Sequence, residues 1–394
     1  MTTARVPVNP TVLRYYINQS YCQVEELSRR SQLGKLTDWL SGQLNPTYKQ
    51  LVTLAKALRI PVGYLVLDEP IDDTPDLVEY RTIDSKYQDD FVSRDLIETI
   101  QIAEKQQEFM SDYRKEISWE PLTYVGSCDI DTDFSSMVLQ ARRLLRIEEK
   151  WQGQLNSQKP FKFFRERLNE IGVLVFSNSQ VGLNTRRPLD IEEFRAFVIL
   201  DDYAPYIFIN SQDSINGQLY SLLHEFAHIL LGQNEIQSLG ERYNDVSELE
   251  RLCNQFTAEL LVPLKLFLIS WESNLDQSVI EKISELATQF KVSRMVIARR
   301  ALDQNLIQMS VYDEIATRTK EDYLKYKEER NKTDGRGNFW NLLFYRLDNN
   351  LINSAFYAYQ QGDIRYSDVA DLLNVSVSTL STLEKKWYQK EVNQ

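Results

Sequence analysis

Histidine is almost missing from this chain: there are two in 394 residues, His224 and His228, and both fall inside the decapeptide SLLHEFAHIL at 221–230. Cysteine is scarce as well. Cys22, Cys128 and Cys253 are widely spaced and odd in number, which speaks against a disulfide framework and fits a reducing compartment. Long hydrophobic runs are absent. The richest, LLVPLKLFLIS from Leu260 to Ser270, is broken by Pro263 and Lys265 and is far short of the roughly 20 residues that span a bilayer. The opening MTTARVPVNP carries one arginine and no apolar stretch of the kind a secretory signal needs. These absences lead to the expectation of a soluble, cytoplasmic protein with no membrane partner. What is present suffices for folding: 43% hydrophobic and 11% aromatic residues over 394 positions exceed what one core holds, so two or three domains are expected.

Charge is unevenly spread. Residues 1–70 carry eight cationic and five anionic side chains, a balance of +3, which leaves −15 on the remainder of a chain whose net charge is −12. A mildly basic head on an acidic body permits nucleic-acid contact at one end only.

The head reads as a run of short helices. LGKLTDWLSG ends at Gly42, Pro46 and Thr47 open the next segment, and YKQLVTLAKALRI spaces Leu51, Leu54, Ala55 and Leu58 at helical intervals before Pro61 stops it. Residues 36–67, LTDWLSGQLNPTYKQLVTLAKALRIPVGYLVL, resemble the second half of an XRE-type helix-turn-helix domain. The resemblance implies that the helix from Lys35 to Leu40 is the one presented to the major groove, with Lys35, Thr37, Ser41 and Gln43 as the polar groups able to face DNA. The turn before this helix is shorter than in the family, and Leu36, Asp38 and Trp39 are unsuited to base edges. Docking of a partner protein is the other use of such a head.

Five segments follow from composition and periodicity: 1–70, the helix-turn-helix-like head; 71–125, an acidic linker and a helix; 126–310, a mixed region; 311–339, a charged linker containing DGRGN; and 340–394, a helical unit resembling another small helix-turn-helix, with turns at Gly362 and Val375–Ser376. In the mixed region the helical period gives way to short β-branched and aromatic runs separated by turn residues. GVLVFSN (172–178), FRAFVILDD (194–202) and PYIFINS (205–211) predict three short strands in a small antiparallel or mixed sheet. The expected class is therefore mainly α (α+β). Directly after the third strand a helix is predicted from Ser214 to Leu231, stopped by Gly232, and a second from about Ser247 to Val262 before Pro263.

The first of these helices contains both histidines. At 100° per residue, His224 and His228 project from one face a turn apart, within reach of one ion, while Glu225 is offset and able to sit beside an attacking water. Two histidines scattered at random in such a chain would stand four apart roughly once in 200 trials, and a neighbouring glutamate makes coincidence rarer still. Leu219, Leu222, Leu223, Phe226, Ile229 and Leu230 mark the helix as largely buried, where unsatisfied imidazoles would be costly. A metal site outweighs an ordinary core on both grounds. Catalytic zinc takes three protein ligands and keeps a fourth position for water. With no third histidine, a carboxylate is the natural complement. On the second helix Glu248, Arg251, Gln255 and Glu259 form a polar face and Leu249, Phe256 and Leu260 the core side, which leaves Glu250 on a flank with Asn254, Thr257 and Leu261. Glu250 is the predicted third ligand, and Asn254 one turn on is expected to orient it. Two imidazoles and a carboxylate accept zinc, manganese or iron.

From the strands through HEFAH to ERLCNQFTAELLVP the sequence resembles the ImmA/IrrE family of zinc metallopeptidases. The matching positions are His224, Glu225 and His228, then Glu250, Cys253, Asn254, Phe256 and Leu260–Pro263, with Thr257 where alanine is common in the family. The resemblance implies a zincin-like metallopeptidase core, zinc on His224, His228 and Glu250, Glu225 as general base, and an XRE-type repressor or antitoxin as substrate. A preceding strand could hold the substrate as an added strand, favouring extended segments. The competing expectation is a non-proteolytic DNA-binding regulator or antitoxin-like scaffold with a structural or sensory metal.

Overall fold

Helix starts and stops are written locally in the first unit of the chain. Asn9 Oδ1 accepts from Thr11 N at 2.9 Å to open α1 (Pro10–Gln19), and two short helices follow, α2 (Val24–Ser28) and α3 (Leu36–Leu40). Thr47 and Gln50 exchange side-chain and backbone hydrogen bonds at the head of α4 (Tyr48–Leu58), and Arg59, left-handed at φ 59°, ends it before Pro61. A single 3-10 turn, Val62–Val66, completes the set. Leu13, Leu27, Leu36, Trp39, Leu51, Leu54 and Leu65 are buried together, so the helical spacing seen in the sequence is the spacing that fills this core.

The computed structural model describes residues 4–20, 22–77, 92–233, 235–237, 248–273, 277–332 and 338–392. These fall into two compact units: the first runs to Asp76 and includes the start of a later helix as far as Glu98, and the second holds Leu77 and the chain from Thr99 onward, C-terminal helices included. The segment 340–394, set apart by its sequence, belongs to the second unit.

That helix, α5 (Arg94–Glu116), precedes α6 (Phe134–Leu145) and α7 (Pro160–Glu170). The strands are β1 (Leu174–Asn178), β2 (Ala196–Ile199) and β3 (Tyr206–Asn210). Next come α8 (Ile215–Leu231), a three-residue strand β4 (Glu235–Gln237), α9 (Glu248–Leu261), α10 (Leu264–Ser273), α11 (Val279–Phe290) and α12 (Arg294–Asp303). The sheet has the order β1-β3-β2-β4, with β1 parallel to β3 and the other pairs antiparallel. It is the small mixed sheet expected, with β4 as an addition, inside a mainly helical α+β architecture. One sheet face sends Val175, Ala196, Val198, Ile207 and Ile209 into a core shared with Leu222, Phe226 and Phe256 of the helices. The other face is aromatic: Phe176 stacks on Tyr206 at 4.6 Å and Phe197 on Phe208 at 5.0 Å.

The tail of the chain closes over the far edge of this sheet. α13 runs from Met309 to Lys332, α14 from Phe339 to Arg346, α15 from Asn349 to Gln361, α16 from Tyr366 to Leu372 and α17 from Val377 to Val392. Asp348, fully buried, caps α15 by accepting from Asn350 N and Leu351 N, and its other oxygen accepts from Val175 N of β1 at 2.9 Å and from Asn169 Nδ2. Arg165 donates to the carbonyls of Tyr345 and Leu347. The reading of 311–339 as a charged linker is corrected here: through Lys332 it is helix. Glu, Lys and Arg are strong helix formers, Arg318 and Glu314 pair one turn apart, and Val311, Tyr312 and the buried Ile315 pack on the core. Most of DGRGN lies outside the described residues. Among the described residues no single helix is long and apolar enough to cross a membrane.

A buried His-His-Glu cluster as candidate metal centre

α8 is built to start and stop where its sequence says. Ser214 Oγ accepts from Gly217 N at 3.0 Å, and Gly232 is left-handed at φ 67° with Gln233 N returning to His228 O at 3.1 Å. A side chain at 232 would also meet backbone, because a Cβ there would lie 3.0 Å from Gly126 Cα. The approach serves the segment at 126–128, whose Gly126 N and Cys128 N donate to Ile229 O and Leu230 O at 2.9 Å each. Those two carbonyls are among the last-turn groups that a helix leaves without internal donors.

Within this clamp α8 buries 13 of its 17 residues, and they include the polar ones. His224 is 1% exposed, Glu225 and His228 0%, and Glu250, entering from α9, 4%. The partner carboxylate spans both rings: Glu250 Oε2 lies 3.1 Å from His224 Nε2 and Oε1 lies 3.0 Å from His228 Nε2, while the two Nε2 atoms are 3.2 Å apart. A tetrahedral ion with bonds of about 2.1 Å would hold its ligand atoms about 3.4 Å apart, so the three donor atoms need spread by only a few tenths of an ångström. Among the described residues this is the one group of three or more His, Cys, Asp or Glu side chains able to share an ion. The donor set fits a metal: two imidazole nitrogens and a carboxylate, buried, with their lone pairs converging.

Protonation leans the same way. Burial lowers the His228 pKa, with Glu250 opposing in part. Burial alone would raise Glu250, but the hydrogen bonds and charges of His224 and His228 hold it well below the usual carboxylate range. Both directions strip protons from the donor atoms, the state a metal requires.

The surroundings hold the two helices in register. Tyr220, one turn before His224, stacks on the His224 ring with centroids 6.2 Å apart and donates its hydroxyl to Asn254 Oδ1 at 2.7 Å. Asn254, expected to support Glu250 from one turn on, accepts from Tyr220, whose ring stacks on His224. Tyr220 was missed in the sequence, although its position four before His224 puts it on the same helix face. Cys253 Sγ lies 3.9 Å from His228 Nδ1. The end of α9 is fixed by side chains that satisfy its last carbonyls: Arg142 to Glu259 O at 2.9 Å, Trp151 Nε1 to Leu261 O at 3.1 Å, and Arg300 to Val262 O while it also pairs with Glu259.

Residues 169–302 match the family profile of the IrrE N-terminal-like domain, Peptidase M78. The IrrE N-terminal-like match runs from the last turn of α7 to the last turn of α12 and encloses His224, Glu225, His228 and Glu250. The segment that carries the cluster is thus similar to a domain of a peptidase family. No curated protein matches the chain. The candidate DNA-facing groups lie outside the IrrE-like segment: Lys35, Thr37, Ser41 and Gln43 are all exposed, at and around a five-residue α3.

Proposed function

We propose that this protein is a regulatory zinc-dependent endopeptidase whose substrate is an XRE-type repressor or antitoxin, with the first unit docking DNA or the partner protein. The observation that carries the reading is the convergence of His224, His228 and Glu250 next to a buried Glu225, inside a segment matching a peptidase family. His224, His228 and Glu250 would hold the zinc ion, which would supply a water of lowered pKa and Lewis acidity toward the scissile carbonyl. Glu225, adjacent to His224 but offset by 100° on α8, accepts the proton of the attacking water and returns it to the leaving amine. Tyr220 and Asn254 keep α8 and α9 aligned so that the ligands stay in reach of one another. The exposed Lys35, Thr37, Ser41 and Gln43 support a docking role for the first unit.

The test pairs the purified, zinc-loaded protein with its candidate repressor. Cleavage is expected, and Glu225→Gln should lower it by about 10²–10⁴-fold while leaving metal content unchanged. Cleavage that survives Glu225→Gln would falsify the assigned mechanism. Salt-sensitive DNA binding without any cleavage would favour the regulator or scaffold reading instead.

A further inference from the structure

A second polar site lies on the aromatic side of the sheet. β1 and β3 contribute Phe176 and Phe208, α14 contributes Arg346, and the turn between α16 and α17 contributes Leu373 and Asn374; together with Gln180 they line a crevice of about 50 Å³. No acidic residue is among its lining groups. Among the described residues the Arg346 guanidinium has neither a hydrogen bond nor an ion pair. Gln180 is 6% exposed and its Nε2 has no acceptor. The Asn374 amide is likewise without a hydrogen-bond partner, and it packs so closely on Gly182 that a Cβ there would collide with its Nδ2. One cation and two amides thus converge on a space that provides them with no anion.

Size and wall chemistry select the ligand. At about 10–15 Å³ per water-sized site, 50 Å³ holds about four non-hydrogen atoms, too little for a nucleotide or a peptide. A carboxylate matches a single guanidinium in charge and fork geometry. A phosphate dianion would leave one charge uncompensated against phenylalanine and leucine walls, where desolvation is costly. We infer that this crevice is a binding site for a small organic monocarboxylate of about two or three carbons, held by Arg346 with Gln180 and Asn374 and seated on Phe176 and Phe208. Because α14 and the α16–α17 turn form the opposite wall, an occupant joins the C-terminal helices to the sheet.

Calorimetric titration of the full-length protein with sodium acetate, propionate and phosphate, each at ionic strength matched with chloride, tests the inference. Saturable carboxylate binding is expected, weakened about ten- to hundred-fold in Arg346→Gln, the loss of one charge-assisted pair, with circular dichroism unchanged. Hydrogen exchange in α14 and at Leu373–Asn374 should slow with propionate and not with phosphate. Should Arg346→Gln fail to fold, Gln180→Leu, which keeps the volume but removes the amide, is expected to weaken binding as well. Binding of phosphate alone, no carboxylate response in the wild type, or undiminished affinity in a folded Arg346→Gln protein each overturns the inference. None of these readouts depends on peptidase activity, so they stand or fall apart from the proposed function.

Discussion

α8 and α3 make opposite use of their polar residues. α8 is 17 residues long, buries 13 of them, and keeps two histidines and a glutamate in the interior. α3 has five residues, buries Leu36, Trp39 and Leu40, and leaves the polar groups in and beside it, Lys35, Thr37, Ser41 and Gln43, at the surface. A buried polar group must be satisfied by something, so its neighbours are dictated and its spacing carries information. An exposed one is satisfied by water whether or not it has a partner, and the same spacing says little. The comparison explains why one region yields a chemical reading from geometry and the other only a surface.

The sharpest way to test this contrast is at the third ligand. Glu250→Ala should reduce zinc affinity by a hundred-fold or more, about the upper range seen when even the support of a ligand is removed, and metal analysis of the purified variant reads it directly. Full retention of the ion would break the contrast, since the interior carboxylate would then be idle. A smaller effect is expected at the end of the same helix. Gly232→Ala must adopt a positive φ and push against Gly126, and should destabilise the fold by about 1–3 kcal/mol in denaturant titration. An unchanged midpoint would show that the clamp on α8 is slack. The least effect belongs to the surface: changing Lys35, Thr37, Ser41 and Gln43 together to alanine should move stability by no more than about 0.5 kcal/mol per site while reducing whatever DNA or protein binding the first unit has, measured by gel shift or pull-down. Loss of folding in that variant would mean that these groups are not free surface.

Much of the site was readable because its determinants are local. Ser214 and Gly232 bracket α8 where the cap residues placed them, and the wheel that set Glu250 apart from the polar face of its helix matches its burial beside the imidazoles. Three strands declared themselves as short β-branched and aromatic runs between turn residues. β4 did not, because three residues have no period of their own and the strand exists through its pairing with Ala196–Val198. α13 was hidden by its charge density, which suits a solvated linker and a solvated helix equally until Ile315 is seen in the core. The Tyr220–Asn254 bond and the Asp348–Val175 bond join positions 34 and 173 residues apart; no local pattern announces such pairs.

Asp348 has a bearing on how a peptide could approach. In β1 the amide of Leu174 points inward to Pro205 O, so that of Val175 points outward, and this is the donor a newcomer would need to extend the sheet on that side. The carboxylate already occupies it and anchors the first turn of α15 in doing so. Growth of the sheet beyond β1 would require prising that helix off, so the same carboxylate that starts α15 also seals this margin of the sheet.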